Sequence, residues 1–372
     1  MPDIQIKDKQ DNAGAIEFPL SQLYFYLTKG CNLACRHCWL APKFDPHGDK
    51  QPVLPLELFK QAIEEAMPLG LSGVKLTGGE PLLHPDFLDM LNFLKQKRLK
   101  LTLETNGLLC SPEIAAEISG LDESFVSVSL DGADAATHDK IRGAKGAFQK
   151  STAAVRNLSD CGLKPQVIMS VMHGNVGQLE AVIELAEELG AASVKFNVIQ
   201  PTGRGENVYS TCSGLTIENL ILLGRKVETK MAAKSKLRLY FDYPAAFRSL
   251  GQFVSGDGCG VCSILSILGV LPTGEYALCG IGSHVPELIF GRIAQDNLLE
   301  DVWKNNTVLN ELRSGLPKQL TGICHTCLMK NHCLGSCIAQ NYYRTRSLWT
   351  PFWFCEQAEA QGLFPPSRRT FL

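Results

Sequence analysis

The sequence predicts an α/β protein built on a parallel sheet, followed by a cysteine-rich C-terminal region. Between residues 21 and 230, short apolar strand patterns alternate with amphipathic helix patterns. Such a repeated strand–helix series is typical of parallel sheets, either open or closed into a barrel. The fourteen cysteines are unevenly placed, with three in residues 31–38 and eight in residues 259–355. The 372 residues suffice for a barrel with an appended module.

The predicted elements follow one another regularly. Strands are expected over 23–28, 74–76, 99–104, 125–130, 166–172 and 193–199. Helices are expected over 55–67, 86–97, 112–118, 147–161, 176–189 and 216–230. A further short strand, 237–241, is expected to bridge to the C-terminal region. Active sites of such folds lie at the carboxyl ends of the strands, so the loop after the first strand is expected to belong to the site.

Composition argues against several classes of protein. A net charge of −2 favours neither nucleic acid nor a membrane surface as partner. No apolar stretch approaches the roughly 20 residues of a membrane span. The polar residues 1–17 do not resemble a signal peptide. We therefore expect a cytoplasmic protein, in which many cysteines indicate metal or redox chemistry rather than disulfides.

Cys31, Cys35 and Cys38 follow the first strand with C-x3-C-x2-C spacing. Thiolates are the usual ligands of iron–sulfur clusters, and a cluster normally takes four of them. Three thiolates on one short loop would leave one iron open to another ligand. A fragment of a zinc site is the alternative interpretation of this spacing.

A second motif, Thr77-Gly78-Gly79-Glu80-Pro81, follows the second predicted strand. Its two glycines permit positive φ angles and the close approach of a ligand. Exposed carbonyl groups and a carboxylate would suit a cationic group, such as the amino group of an amino acid. A plain turn at the end of a strand is the alternative interpretation.

The cysteine spacing together with Gly78–Pro81 resembles the radical SAM enzymes. The resemblance implies a partial (β/α)6 TIM-like barrel that holds a [4Fe–4S] cluster and S-adenosylmethionine (SAM). It also implies that the open iron binds the methionine amino and carboxylate groups. One electron then cleaves SAM to a 5′-deoxyadenosyl radical, which abstracts a hydrogen atom. Gly78, Gly79, Glu80 and Pro81 would meet the methionine ammonium group.

The resemblance also implies further SAM contacts. It gives the ribose to Ser129 first and to Asp131 second, and the SAM carboxylate to Arg142, whose fork fits a carboxylate bidentately. It implies that His37 and the backbone around Ile199 contact the adenine. Without the resemblance, a solvated arginine and turn-forming serine or aspartate residues are the simpler interpretation.

The downstream cysteines resemble the signature of the SPASM domain. Eight thiolates suffice for two fully ligated four-iron clusters, and two zinc knuckles are the alternative. The resemblance implies three [4Fe–4S] clusters in all, two of them auxiliary. It assigns these ligands: Cys259, Cys262, Cys279 and Cys337 to the first auxiliary cluster, and Cys324, Cys327, Cys333 and Cys355 to the second.

The expected organisation has five parts. They are a lead-in over 1–20, the radical SAM barrel over 21–235, a bridging segment over 236–258, the SPASM domain over 259–357 and a tail over 358–372. The region after residue 256 has few long periodic segments. We therefore expect metal cross-links, rather than a large apolar core, to stabilise it.

The resemblance implies an enzyme that abstracts hydrogen from a ribosomally made precursor peptide, leading to a cross-link or an epimerisation. Residues 30–42 resemble maturases of SynChlorMet-type peptide-modification cassettes. Side-chain modification of haem precursors and sulfatase-maturase-like oxidation are alternatives within the class. Gly280 disfavours the latter, because sulfatase maturases carry an aspartate base at that position. An iron–sulfur electron carrier is the non-enzymatic alternative, although a carrier needs no open cluster.

The expected partners are a peptide or protein substrate and an electron donor such as flavodoxin or ferredoxin. About twenty residues precede the first strand, too few for a leader-binding domain. A separate leader-binding protein is therefore also considered, whereas nucleic acid and membrane are not expected as partners. The sequence identifies no catalytic base. Asp242 and Tyr243 are candidates by location alone, and a polar junction turn explains them equally well.

Overall fold

The computed structural model describes residues 17–251 and 262–370. The strands are β1 (Gln22–Tyr26), β2 (Gly30–Cys31), β3 (Lys43–Phe44), β4 (Gly73–Thr77), β5 (Lys100–Thr105), β6 (Ser124–Ser129), β7 (Gln166–Val171), β8 (Ser193–Val198), β9 (Arg238–Asp242), β10 (Ile267–Val270), β11 (Glu275–Ala277) and β12 (Ile289–Arg292). The α-helices are α1 (Leu56–Ala66), α2 (Phe87–Lys97), α3 (Pro112–Ser119), α4 (Ala135–Arg142), α5 (Ala147–Asp160), α6 (Leu179–Glu188), α7 (Gly205–Ser210), α8 (Ile217–Lys226), α9 (Thr307–Gly315), α10 (Gly322–Thr326), α11 (Lys330–Cys333), α12 (Ile338–Thr345) and α13 (Trp353–Ala360). Two π-helical segments, Val227–Met231 and Leu298–Lys304, complete the longer elements.

One ten-stranded sheet organises the fold, in the order β12-β11-β10-β1-β4-β5-β6-β7-β8-β9. Every pair from β1 to β9 is parallel. Helices lie between successive strands, as parallel connections require. The predicted α/β fold with a parallel, barrel-like sheet is confirmed.

Alternate residues of each strand pack under the helices. In β1, Leu23 and Phe25 are fully buried, and the Phe25 ring lies 4.6 Å from the Phe59 ring of α1, measured between centroids. The intervening Tyr24 points to the opposite, concave face, where the ammonium of Lys75 lies over its ring. The concave face is therefore polar, and it leads to the strand ends that carry the predicted motifs.

The β9 strand differs from its expected bridging role. It pairs in parallel with β8 over Asn197 and Asp242 and forms the last strand of the sheet. Its helix-facing Phe241 is buried in the main core, and this burial explains why β9 extends the sheet.

The cysteine-rich region is continuous with the barrel. Strand β10 pairs in parallel with the free side of β1, and β11 and β12 extend the sheet as antiparallel strands. Tyr276, Trp303 and Phe354 of this region belong to the same buried cluster as β1. The expectation that this region lacks a substantial apolar core is therefore wrong, because its short segments share the core of the barrel.

Within the described residues, none of the helices combines the length and apolar character needed to cross a bilayer.

Candidate active site at the cysteine loop

The cysteine loop, residues 31–38, crosses the carboxyl ends of the parallel strands. Its first cysteine ends β2, which pairs with β3. Cys31 and Cys35 are buried, and Cys38 packs against the same small cluster, which contains Leu33 and Ala147. The structure thus gathers the three predicted thiols at one place.

The surroundings of these thiols fit a metal cluster. Burial raises the pKa of the Cys31 and Cys35 thiols, so neither ionises readily without a nearby cation. Iron supplies that positive charge and takes thiolate ligands. The donor set and its burial therefore suit a cluster better than a pair of solvated thiols.

The backbone conformation at Gly78 and the close packing at Gly79 both require glycine. Gly78 has a φ of +126°, which favours glycine, and a Cβ at Gly79 would overlap the carbonyl oxygen of Gly30. The amide of Gly79 donates to the carbonyl of Thr28 over 3.0 Å. The end of β4 therefore packs closely against the residues just before Cys31. The sequence suggested close approach of a ligand, and the structure shows close approach of the loop.

Glu80 points into the protein. Its carboxylate accepts hydrogen bonds from the Thr105 hydroxyl (2.6 Å), the Asn106 amide (2.8 Å) and the Leu82 amide (3.1 Å). Burial raises its pKa to about 7, against the effect of these donors. This differs from the expectation that the carboxylate meets a cation, because the side chain joins the ends of β4 and β5 instead. Pro81 is likewise buried, at the start of the 3-10 turn Pro81–Leu83.

Asn106 extends this connection to the cysteine loop. Its side-chain amide donates to Asn32 over 2.7 Å and lies 3.9 Å from the Cys31 sulfur. Asn106 was not among the predicted site residues. The signal that could have found it is the polar Thr105-Asn106-Gly107 run directly at the end of a strand.

Asp131, Arg142 and His37 form a buried group on the other side of the loop. The Asp131 Oδ2 lies 2.7 Å from Nε of Arg142 and 3.6 Å from Nε2 of His37. Nη1 of Arg142 lies 3.6 Å from the Cys35 sulfur. Burial alone would raise the pKa of Asp131, but the adjacent guanidinium holds that pKa below its usual value. Burial lowers the pKa of His37 to about 4, so its ring is neutral at pH 7.

Helix α4 carries Arg142 to this place. Asp134 caps the helix by accepting a hydrogen bond from the Thr137 amide, and Gly143 ends it with a φ of 76°. The last turn then supports the loop, because the amide of Ala34 donates to the Arg142 carbonyl over 3.1 Å. No helix was predicted here, although the Asp-x-x-Thr cap and the glycine are signals of one.

Ser129 and Ile199 lie at the ends of β6 and β8. Ser129 is partly buried as the last residue of β6. Ile199 is buried and packs with Ile141 of α4, and its carbonyl accepts a hydrogen bond from the Tyr209 hydroxyl over 2.8 Å. Both follow strands of the same sheet edge as the cysteine loop, as the sequence predicted.

Arg204 clamps the loop and was not predicted. Its Nε donates to the Cys35 carbonyl over 2.7 Å, and Nη1 donates to the Pro42 carbonyl over 3.0 Å. Its amide donates to the Cys38 carbonyl over 3.0 Å. Arg204 therefore fixes the backbone at Cys35, at Cys38 and at Pro42, which lies four residues after Cys38. No local pattern marks it, since all its partners are distant in sequence.

The downstream cysteines form two groups within the described residues. Cys337 is close enough to Cys262 and Cys279 to raise the pKa of both thiols, which burial already raises. The predicted fourth ligand, Cys259, lies outside the described residues. The other four cysteines line one narrow cavity of about 20 Å³: Cys324, Cys327, Cys333 and Cys355. In residues 17–251 and 262–370, no three ligating side chains are placed to hold a single metal ion.

The two candidate bases lie on opposite faces of β9 and its extension. Asp242 is partly exposed on the concave face, 3.4 Å from Nζ of Lys195. Tyr243 is 2% exposed and packs between Phe241 and Phe247 in the helix-side core. This burial disfavours Tyr243 as a base, whereas Asp242 stays a prediction.

A cavity of about 340 Å³ opens beside the Gly78–Gly79 edge. Tyr26, Leu40 and His284 are among the residues that line it. At Gly280 a Cβ would collide with the Tyr26 ring and with Leu40. An aspartate therefore does not fit there, which agrees with the case against a sulfatase-maturase base.

The comparison with known proteins agrees with this site. Residues 25–189 match the model of the radical SAM superfamily. AdoMet-dependent heme synthase of Methanosarcina barkeri (strain Fusaro / DSM 804) is 31% identical over 337 residues, which cover 86% of this chain and 91% of that protein. The chain belongs to the radical SAM superfamily. Mycofactocin maturase MftC of Mycobacterium ulcerans (strain Agy99) is 29% identical over 326 residues, 86% of this chain and 84% of the relative.

Solved structures show the same fold. Streptococcus suis SuiB bound to the precursor peptide SuiA aligns with a TM-score of 0.71 at 17% identity, over 92% of this chain and 76% of SuiB. The enzyme anSMEcpe with bound AdoMet and the Cp18Cys peptide aligns with a TM-score of 0.68 at 19% identity, over 92% of this chain and 95% of that chain.

Family membership confirms the enzyme class that the motifs indicated. The protein is a radical SAM enzyme, and its cofactors are SAM and an iron–sulfur cluster. An electron carrier without catalysis is therefore excluded.

Proposed function

We propose that this radical SAM enzyme modifies a ribosomally made precursor peptide. The observation that carries the proposal is the cavity of about 340 Å³ between the Gly78–Gly79 edge and the C-terminal strands. It offers room for a peptide side chain next to the expected SAM position. Mycofactocin maturase and the SuiB structure with its precursor peptide add support from the comparisons.

In this proposal, Cys31, Cys35 and Cys38 hold the cluster. The bound cluster and SAM together supply the 5′-deoxyadenosyl radical that abstracts a substrate hydrogen. The chain's own residues orient SAM: the backbone of Gly78 and Gly79 receives the ammonium group, and Arg142 the carboxylate.

The remaining SAM contacts follow from the positions of the strand ends. Ser129 donates to the ribose, and His37 and the backbone at Ile199 flank the adenine. Glu80 and Pro81 act from inside by shaping the end of β4. We do not assign the ribose to Asp131, whose carboxylate is already engaged.

We further propose that residues 259–357 form a SPASM domain with two auxiliary four-iron clusters, after the barrel of 21–235. The ligands of the first cluster would be Cys259, Cys262, Cys279 and Cys337. Those of the second would be Cys324, Cys327, Cys333 and Cys355. Full thiolate ligation leaves no iron open to substrate, so these clusters suit electron transfer. When bound, the cluster held by Cys262, Cys279 and Cys337 would supply an acceptor for the electron released on cross-linking, while a base would take the proton.

The partners follow from the same proposal. The enzyme would act in the cytoplasm and receive its electron from a donor such as flavodoxin or ferredoxin. A separate protein would present the leader of the peptide. Asp242 is retained as the candidate base on the concave face, held by Lys195.

A second candidate function is the modification of a haem precursor. The 31% identity to AdoMet-dependent heme synthase, which covers most of both chains, favours it. The two functions differ in the substrate that fills the cavity.

The test is anaerobic turnover of the reconstituted enzyme with dithionite and SAM. We expect 5′-deoxyadenosine, formed faster when the peptide encoded beside the gene is added, together with a mass change in that peptide. Stimulation by an iron porphyrin precursor instead would favour the second function, and absence of 5′-deoxyadenosine would contradict both.

The matched variant replaces Cys31, Cys35 and Cys38 together by alanine. It should lose about four irons and all SAM cleavage, while the downstream cysteines keep about eight. Loss of all iron would instead contradict independent cluster sites.

A further inference from the structure

The Asp131 carboxylate is the most completely enclosed charged group of the site. It is 0% exposed, with one oxygen in a hydrogen bond and the other in an ion pair. Oδ1 accepts a hydrogen bond from the Ser170 amide over 2.8 Å, and Oδ2 faces Arg142 and His37. A ribose could reach this carboxylate only if the Arg142 contact opened.

The backbone of Asp131 is fixed as firmly as its side chain. Its amide donates to Nδ1 of His138 over 3.0 Å, and its carbonyl accepts from the Asn175 side chain over 3.0 Å. His138 and Asn175 are themselves buried. The carboxylate is therefore held from α4, from β7 and from the turn after β7, with little freedom to move.

Arg142 depends on this anchor for its direction. A buried carboxylate next to Nε restricts how a guanidinium can move, and so restricts where its terminal N–H groups lie. Oδ2 of Asp131 forms an ion pair with Nε over 2.7 Å, without hydrogen-bond geometry, and the Cys35 sulfur lies 3.6 Å from Nη1. The same Oδ2 lies 3.6 Å from Nε2 of His37 in the cysteine loop. One buried anion thus holds a residue of α4 beside the sulfur of a cluster cysteine.

We propose that Asp131 is a positioning residue for SAM binding, acting through Arg142 rather than by touching SAM. Its buried charge keeps the guanidinium in place, so that the terminal N–H groups meet the SAM carboxylate. The inference rests on the proposed role of Arg142, but not on the nature of the substrate.

A double-mutant cycle with SAM as the probe tests this proposal. Asp131→Asn, Arg142→Gln and the double variant are reconstituted, and the Kd of SAM is measured by titration. We expect Asp131→Asn to raise the Kd about tenfold or more, because the guanidinium then loses its buried counter-charge. In the Arg142→Gln background, the same change should add little, because the residue it acts through is gone.

A second readout separates positioning from a loss of structure. The EPR spectrum of the reduced cluster should change on SAM addition in Asp131→Asn, but only at higher SAM concentration, with iron content and thermal unfolding close to wild type. The matched control is Asp134→Asn, the same change on an exposed residue of the same loop, which keeps the helix cap. Its Kd should equal that of wild type.

The outcomes are distinguishable. If Arg142→Gln leaves the Kd unchanged, the proposed role of Arg142 fails. If it raises the Kd while Asp131→Asn does not, or if the two effects add, the positioning role is overturned. Should Asp131→Asn fail to load iron, Asp131→Glu replaces it in the cycle. That variant keeps the charge but displaces the carboxylate by one methylene. It should likewise raise the Kd of SAM in the wild-type background and add little in the Arg142→Gln background.

Discussion

At the scale of single residues, the site is built from side chains that bind the protein rather than the cofactor. Glu80 ties two strand ends together, Arg204 holds the loop backbone, and Asp131 holds Arg142. Glu80 and Arg204 act across long sequence separations, whereas Asp131 and Arg142 are joined through one short helix. Because each is buried or clamped, the cysteine loop is preorganised before any cluster is bound.

Glu80 predicts a pH dependence of stability. Its pKa is raised from 4.5 to about 7, mainly by burial. A group whose pKa is higher in the folded state favours folding when protonated, so its contribution is full below about pH 4.5 and falls as the pH rises towards 7. The loss is on the order of 3 kcal/mol. Chemical unfolding followed by circular dichroism should show this decline in wild type and a flatter profile in Glu80→Gln.

The control for Glu80 is Glu123→Gln, which alters an exposed carboxylate paired with Lys100. Its profile should parallel that of wild type. Equal pH slopes in wild type and Glu80→Gln would show that the buried carboxylate does not titrate in this range.

At the scale of elements, periodicity found the strands and helices that alternate with a clear apolar face. The helix α4 was not predicted, because its eight residues contain only two buried apolar or aromatic positions, His138 and Ile141. Strands β10 to β12 were not predicted, because each has at most four residues and shows too little periodicity. Spacing together with the family resemblance predicted that Cys31, Cys35 and Cys38 act together, and their thiols lie in one place. The roles of Asn106 and Arg204 could not be predicted, since their contacts exist only after folding.

The cap of α4 can be tested by itself. Asp134→Ala removes the acceptor for the Thr137 amide and should cost about 1 kcal/mol of stability. Because the last turn of α4 carries Arg142, hydrogen exchange should rise along Ala135–Arg142, and SAM affinity should fall modestly. Asp134→Asn should preserve both, and unchanged exchange in the alanine variant would show that packing alone maintains the helix.

At the scale of the whole molecule, the barrel and the cysteine-rich region share one sheet and one core. The strand that joins them is β1, which has β4 on one side and β10 on the other. The cavity beside Gly78 is walled by both regions, since Tyr26 lies on β1 and His284 follows Cys279. The C-terminal region is therefore part of the scaffold of the site, in addition to any cluster that it holds.

This shared sheet predicts that the barrel does not fold alone. A chain ending at Gly251 would expose the free edge of β1 and the apolar residues that β10 and Trp303 cover, an arrangement that promotes aggregation. We expect it to be insoluble or to lack the cluster of Cys31, Cys35 and Cys38, as measured by iron content. Co-expression of residues 262–372 as a separate chain should restore solubility, because β10 could then pair with β1. A soluble monomer of residues 1–251 that binds about four irons would contradict the prediction and show that the barrel is an independent folding unit.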